Sequence, residues 1–307
     1  MRIAAEASVP SGIGAARPQS PWRRFAAEFA ESRLALLGLA ILATIVVVAL
    51  AAPWIAPQNP YDLAQLDVLD SQLAPGSQSL AGRTYWLGTD DQGRDMLSAI
   101  LYGLRISLAV GGASTVAALA LGLVLGLAAA YFGGWADTVI MRVADIQLSF
   151  PAILIALVLL AALGQGIGKI IVALVTVQWA YYARTVRSAA LVERQKEYVE
   201  AARALALSQA RIVLRHLLPN CLPPLIVVAT VQVAHAISLE ATLSFLGLGL
   251  PITEPSLGLL IANGFQYLLS GRYWISFYPG VALLVTIMAI NLVADQLRDI
   301  LNPRLKR

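Results

Sequence analysis

Apolar runs about as long as a bilayer is thick recur along this chain, and no other feature constrains its fold so tightly. The first, residues 34–56, carries no charged side chain. A bilayer core takes about 20 apolar residues per helix. Only a helix satisfies its own backbone in lipid without closing a barrel. Further runs fall at 106–132, 149–163, 170–186, 222–246 and 277–293. The sequence therefore predicts an all-α integral membrane protein of six helices. The 149–163 run is short and is expected to extend backward through the periodic stretch 138–145, with Arg142 and Asp145. The 222–246 run is the least regular: Pro223 and Pro224 open it, and His235, Glu240 and Ser244 interrupt it.

Composition agrees. Of the 307 residues, 58% are hydrophobic and 13% charged, about half the charge of a soluble domain. The excess apolar surface must meet lipid or other subunits. The net charge of +4 reads as basic loops facing an anionic cytoplasmic leaflet, not as a nucleic-acid surface. All 22 Lys and Arg except Arg83, Arg94, Arg105, Lys169 and Arg272 fall on one side if the N-terminus is cytoplasmic, so both termini are placed inside. Residues 1–33 form a cytoplasmic leader, expected to be disordered before Ser20. Residues 49–51 imitate a signal cleavage site, but the run lies too far from the start for a secretory signal and reads as an uncleaved first helix. An external loop, 57–105, follows it. A transmembrane core spans 106–296 and includes an internal loop at 187–220, and 297–307 form a cytoplasmic tail.

Gly122 and Gly126 in the second run are a small-xxx-small pair that lets a helix approach closely. Packing within one chain and contact between subunits are equally compatible with it. The stretch 88–95 holds three aspartates, two glycines and Arg94. It lacks the regular oxygen alternation of a calcium loop, so Asx turns and an Arg94–carboxylate pair are the simpler reading. The two histidines, His216 and His235, have no carboxylate or thiol set near them, and Cys221 is the only cysteine, so no metal site is expected. His235 and Glu240 are polar residues in an apolar helix, and such groups usually face a cavity. They are candidates for lining a translocation path. Asp295, Arg298 and Asp299 read as an i,i+3 or i,i+4 ion pair at the inner interface.

The internal loop is the most informative segment. Residues 193–220 read ERQKEYVEAARALALSQARIVLRHLLPN, too charged to span and helical in composition. Val199, Ala202, Ala206, Ala210 and Val213 share one face of a helix. Pro219 and Asn220 are expected to end the element. A helix lying on the leaflet would want Trp or Phe as an anchor. Small residues instead suit docking to a cytoplasmic partner.

Glu200-Ala201-Ala202, with Arg203, then a small residue at Ala206 and Leu218-Pro219 at the end, resembles the EAA loop of ABC-importer permeases. Further stretches place the resemblance with the C-type permeases of the dipeptide, oligopeptide and nickel importers, over nearly the full length from Trp22. These are 33–38 (RLALLG), 52–57 (APWIAP), 87–95 (LGTDDQGRD), 131–135 (YFGGW), 243–249 (LSFLGLG), 297–299 (LRD) and 302–304 (NPR). The resemblance implies a six-helix type I importer bundle in a bacterial or archaeal inner membrane. It implies that Glu200, Ala201, Ala202, Arg203, Ala206, Leu218 and Pro219 belong to a coupling element docking on an ATPase. It also implies two ATPase subunits or domains that bind ATP and Mg, a second homologous permease and an extracytoplasmic solute-binding protein. Peptides are the implied cargo. The family's glycine falls at Ala206, where alanine favours a continuous helix. No Walker loop is present, so ATP hydrolysis is expected elsewhere. No nucleophile–base set or HExxH occurs either. An ion-driven secondary transporter would need intramembrane carboxylates in broken helices, for which Glu240 is the one candidate. An accessory scaffold would leave the internal loop without a purpose.

Overall fold

The computed structural model describes residues 21–79 and 82–301. The expected leader disorder and the 302–304 stretch lie outside the described residues. A short α1 (Pro21–Ala30) precedes α2 (Arg33–Ile55), which Ser32 caps by accepting from the Ala35 N–H at 3.2 Å. The first apolar run thus becomes a helix within a residue of its expected bounds. Glutamine 296 ties α1 back, its Nε2 donating to the Glu28 carbonyl at 3.1 Å.

The second helix begins ten residues before the apolar run. Helix α3 (Met96–Phe132, 37 residues) starts at Asp95, whose carboxylate accepts from the Ser98 N–H (2.8 Å) and Oγ (2.6 Å). An acidic N-cap satisfies an orphan donor of the first turn. Gln58 fastens the chain leaving α2 to this point: its N–H donates to Ser98 Oγ (3.1 Å) and its Oε1 accepts from the Asp95 N–H (2.7 Å). At 1.5 Å per residue α3 is about 55 Å long, well beyond the hydrocarbon core.

Between α2 and α3 the external segment is folded, not loose. It holds a small antiparallel pair, β1 (Ser77–Gln78) with β2 (Thr84–Tyr85). Trp274 Nε1 donates to the Thr89 carbonyl at 3.1 Å, joining it to the last helix. Tyr85 donates to Asp70 at 2.8 Å. Burial first, then this carboxylate, pushes the Tyr85 hydroxyl up to about 12. Asp90 builds the predicted turn, its Oδ1 accepting from the N–H groups of Gln92 and Arg94 (2.9 Å each), and it makes the predicted ion pair with Arg94.

The third run corrects its expectation. It is not one helix but two, α4 (Gly134–Ser149) and α5 (Ala152–Leu163), bent by 94°. Pro151 forces the residue before it out of the helical region, and Phe150 is extended at φ −95°, ψ 146°. Helix α6 (Ile167–Arg194) follows and packs along the length of α3. Arg187 pairs with Asp137, and Arg184 with Asp145, fixing α4 against α6. Next come α7 (Glu197–Ala204), α8 (Gln209–Arg211) and a wide-turned segment, Ile212–Leu217, that runs without a break into α9 (Leu218–Phe245). Pro219 therefore does not end the element. It sits just past the widened turn, in which the Leu218 N–H reaches back five residues to the Val213 carbonyl, and such a turn is a place where a helix takes up an irregularity without ending. Helices α10 (Leu257–Phe265) and α11 (Trp274–Leu301) complete the chain.

Among the described residues four helical stretches are long and apolar enough to cross a membrane: α2, α3, Gln209–Phe245 and α11. The bent pair makes five if counted as one span. The fourth expected span, 170–186 within α6, falls short of that apolarity because Gln178 and Arg184 interrupt its course.

Candidate functional site

The connection from α6 to α9 is a compact module. Val199 and Ala202 of α7 turn inward and are buried with Ile212 and Leu217, with Leu207 and Val213 packed against them. Glu200, Ala201, Arg203, Ala204 and Leu205 point out, Leu205 being 75% exposed. The seven residues singled out from the sequence are thus separated into an outward set (Glu200, Ala201, Arg203, Ala206), an inward anchor (Ala202), and, at the start of α9, the half-buried Leu218 with the exposed Pro219. Ala206 and Ala210 are exposed as well, so they do not share the buried face of Val199 and Ala202.

The reason is a break at Ala206. The Leu207 N–H donates to the Ala202 carbonyl (3.2 Å) and the Ala206 N–H to the Arg203 carbonyl (2.9 Å). That is the paired closure of a Schellman motif, with Leu207 folding back onto Ala202. The closure requires a left-handed residue, and Ala206 adopts φ +53°. The expectation of a continuous helix through alanine is overturned here: packing of Leu207 outweighs local preference. Left-handed backbone costs a non-glycine residue about 1–2 kcal/mol. Ala206→Gly is therefore expected to stabilise the turn by about 1 kcal/mol, seen as roughly fivefold slower hydrogen exchange at residues 205–208. Equal or faster exchange would mean that the turn is not strained.

A second set of contacts roots α7. Glu193 accepts from Lys196 Nζ and from the Tyr198 hydroxyl, each at 2.6 Å. Tyr198 in turn accepts from Asn220 Nδ2 at 3.1 Å, and Asn220 also donates to the His216 carbonyl at 2.7 Å. One chain of hydrogen bonds thus links the end of α6, α7 and the start of α9. Burial of Glu193 favours its neutral form, but the bonds from Lys196 and Tyr198 outweigh it and hold the carboxyl below its usual range. Burial first, then Glu193, pushes the Tyr198 hydroxyl up to about 12. Sequence reasoning missed Tyr198 and Asn220, since nothing local marks a pair 22 residues apart.

His235 and Glu240 part company. Glu240 is fully buried and accepts from Ser244 Oγ (2.7 Å) and from Ser107 Oγ of α3 (3.1 Å), facing the bundle interior. His235 is exposed, and so are Val231, Ser238 and Thr242. Their steps of four, three and four place them on one stripe of α9. An exposed imidazole at His235 is unsuited to lipid, whereas Thr242 donates its hydroxyl to the Ser238 carbonyl of its own helix at 2.8 Å.

At the inner end of this stripe lies a cavity of about 1080 Å³ between α6, α9 and the end of α11. Arg298 opens onto it. The predicted pairing of Arg298 with Asp295 or Asp299 is absent: among the described residues Arg298 enters no ion pair.

Residues 118–307 match the family described as binding-protein-dependent transport system inner membrane component. Residues 20–75 match the N-terminal TM domain of oligopeptide transport permease C. The chain is 41% identical over 296 residues to the dipeptide transport system permease protein of Escherichia coli K12, covering 96% of this chain and 97% of that one. It is 38% identical over 288 residues to the di/tripeptide transport system permease protein of Pseudomonas aeruginosa, covering 94% and 93%. A chain from inward facing conformations of the MetNI methionine ABC transporter superposes with a TM-score of 0.54. It is 24% identical and covers 67% of this chain and 97% of that chain, which speaks to fold alone.

Proposed function

The chain belongs to the family of binding-protein-dependent transport system inner membrane components, and from that premise we propose that it is the permease subunit of an ATP-driven importer of di- or oligopeptides. It is a multi-pass inner-membrane protein of the ABC-transporter permease type. Both termini are read as cytoplasmic, which puts the α6–α9 connection inside and the folded 57–95 segment outside. The working complex holds a second homologous permease, two ATPase subunits or domains that bind ATP and Mg, and an extracytoplasmic solute-binding protein.

The observation that carries the coupling reading is the two-sidedness of α7. Val199 and Ala202 lock it to the bundle, while Glu200, Ala201, Arg203 and Leu205 are left exposed, with nothing among the described residues covering them. A push on that outer face passes through Ile212 and Leu217 into the continuous helix Gln209–Phe245. That helix bears the exposed stripe of His235, Ser238 and Thr242, which we read as one wall of the path. Glu240 acts behind the wall, tying α9 to α3 through Ser107. Ala206, Leu218 and Pro219 set the angle at which α7 is presented.

The test is co-purification. An ATPase is expected to accompany the chain from its own cells in mild detergent, and Glu200→Arg is expected to reduce its recovery at least tenfold. A reversed charge at the centre of a docking face costs several kcal/mol. Recovery of no ATPase with the unaltered chain would exclude the importer and favour an ion-driven transporter. Undiminished recovery with Glu200→Arg would remove α7 from the contact.

A further inference from the structure

We propose that the cavity at the inner end of α9 is the last cargo subsite before release, and that Arg298 is its anchor for the free α-carboxylate of a small peptide. The inference rests on the importer reading above and names a specificity determinant within it.

The cavity, about 1080 Å³, is at the upper end of small-ligand sites and has room for two or three residues of peptide. Pro224 and Val227 of α9 supply apolar wall, and Thr185, Ser188 and Asn220 supply polar groups. Three charged side chains border it: Arg184, Glu193 and Arg298. Two of them are committed. Arg184 is paired with Asp145, and Glu193 with Lys196 and Tyr198. Arg298 makes no hydrogen bond or ion pair among the described residues, although Asp295 and Asp299 flank it on its own helix. The charge left to act in the cavity is a planar guanidinium, whose parallel donors fit a carboxylate.

Position selects the ligand. Residues 224, 227, 231, 235, 238 and 242 climb α9 in steps of three and four, so the cavity is the foot of the His235–Ser238–Thr242 stripe. Thr185, Ser188 and Asn220 at the cavity and His235, Ser238 and Thr242 above it can serve a peptide backbone, while Pro224, Val227 and Val231 between them supply an apolar wall for side chains.

The experiment uses the complete importer, nucleotide-free and without its binding protein, in equilibrium dialysis against radiolabelled dialanine. Dialanine amide and phosphatidylglycerol serve as competitors. Losing one charge-assisted contact in a half-open site is worth about five- to tenfold in affinity. Wild type is expected to prefer the free acid over the amide by that factor. Arg298→Gln is expected to lose both the affinity and the preference, and Arg298→Lys to keep part of each. Retained ATPase subunits on gel filtration control for folding. Equal competition by acid and amide, unaltered binding by Arg298→Gln, no binding at millimolar dipeptide, or displacement by phosphatidylglycerol without acid–amide discrimination would each overturn the proposal. The last would identify a lipid phosphate as the anion. Import by the same preparation, given binding protein and ATP, separates the two readings: a complex that imports without carboxylate dependence refutes the subsite alone.

Discussion

Arg94→Ala is expected to destabilise the external segment by about 3–5 kcal/mol, the usual cost of stranding one member of a buried ion pair. Arg94 is 1% exposed and Asp90 0%, and Arg94 Nε meets Asp90 Oδ2 at 2.6 Å. A guanidinium N–H also donates to the Ile252 carbonyl at 3.2 Å, so the same side chain joins the segment to the strand of chain before α10. Alanine would leave the Asp90 carboxylate held by two backbone N–H groups with no cation. Arg94 Nη2 has no acceptor, so the pair is imperfect, and most of the loss is the penalty of the stranded charge. Limited proteolysis from the outer side reads this directly. Cleavage within 57–95 should rise by two orders of magnitude or more, about tenfold per 1.4 kcal/mol when opening is local. Asp90→Ala with Arg94→Ala should recover much of the protection, because the pair then leaves together. Unchanged cleavage in the single variant would mean that water reaches Asp90 and that the pair is not holding the segment.

That segment also shows what a sequence conceals. Hydropathy finds α2 to within a residue because its course is uniformly apolar. It starts the next helix at residue 106, because Ser98, Tyr102 and Arg105 look like loop residues. In the fold, Ser98 and Tyr102 are buried, pressed into a helix whose first turns are covered by protein. The signal for the true start was present in Asp95, a good N-cap three residues before Ser98. The bend between α4 and α5 was equally legible in Pro151, yet periodicity across 138–145 suggested one helix. Periodicity reports which face is apolar and says nothing of whether the axis is straight. The Asp90–Arg94 pair was readable because it is local. The clamp of Glu193, Tyr198 and Asn220, the wall position of Arg298 and the inward turn of Glu240 were not, because each depends on which helix lies opposite. Ala206 is the sharpest case. Intrinsic preference favours helix there, and the fold imposes a left-handed residue because two hydrogen bonds and the burial of Leu207 close the turn.

The glycines of α3 turn a question of pattern into one of distance. Gly122 and Gly126 lie against α6 of the same chain: a Cβ on Gly122 would stand 2.5 Å from Tyr182 Cβ and 2.6 Å from the Trp179 carbonyl oxygen. One on Gly126 would stand 2.5 Å from the Ala183 carbonyl oxygen. The pair therefore packs α3 on α6 and is not free for another subunit. The obstructing atoms are largely backbone, which cannot rotate aside, so even alanine must push the helices apart. Overpacking costs about 1–3 kcal/mol per site, and Gly122→Ala with Gly126→Ala should cost about 3–5 kcal/mol. The damage would spread, because α6 carries Arg184 and Arg187, which hold α4, and Glu193, which roots α7. Gly112 on the same helix is the control, since its Cβ would meet nothing within 4 Å. Removing backbone freedom there should be neutral or stabilising by up to about 1 kcal/mol. Thermal unfolding of the purified complex should rank Gly112→Ala at or above wild type, each single variant at 122 or 126 below it, and the double variant lowest. A double variant as stable as wild type would mean that α3 and α6 do not approach this closely. The glycine pair would then have to act between subunits, and the ion pairs that fix α4 to α6 would need another anchor for α6 itself.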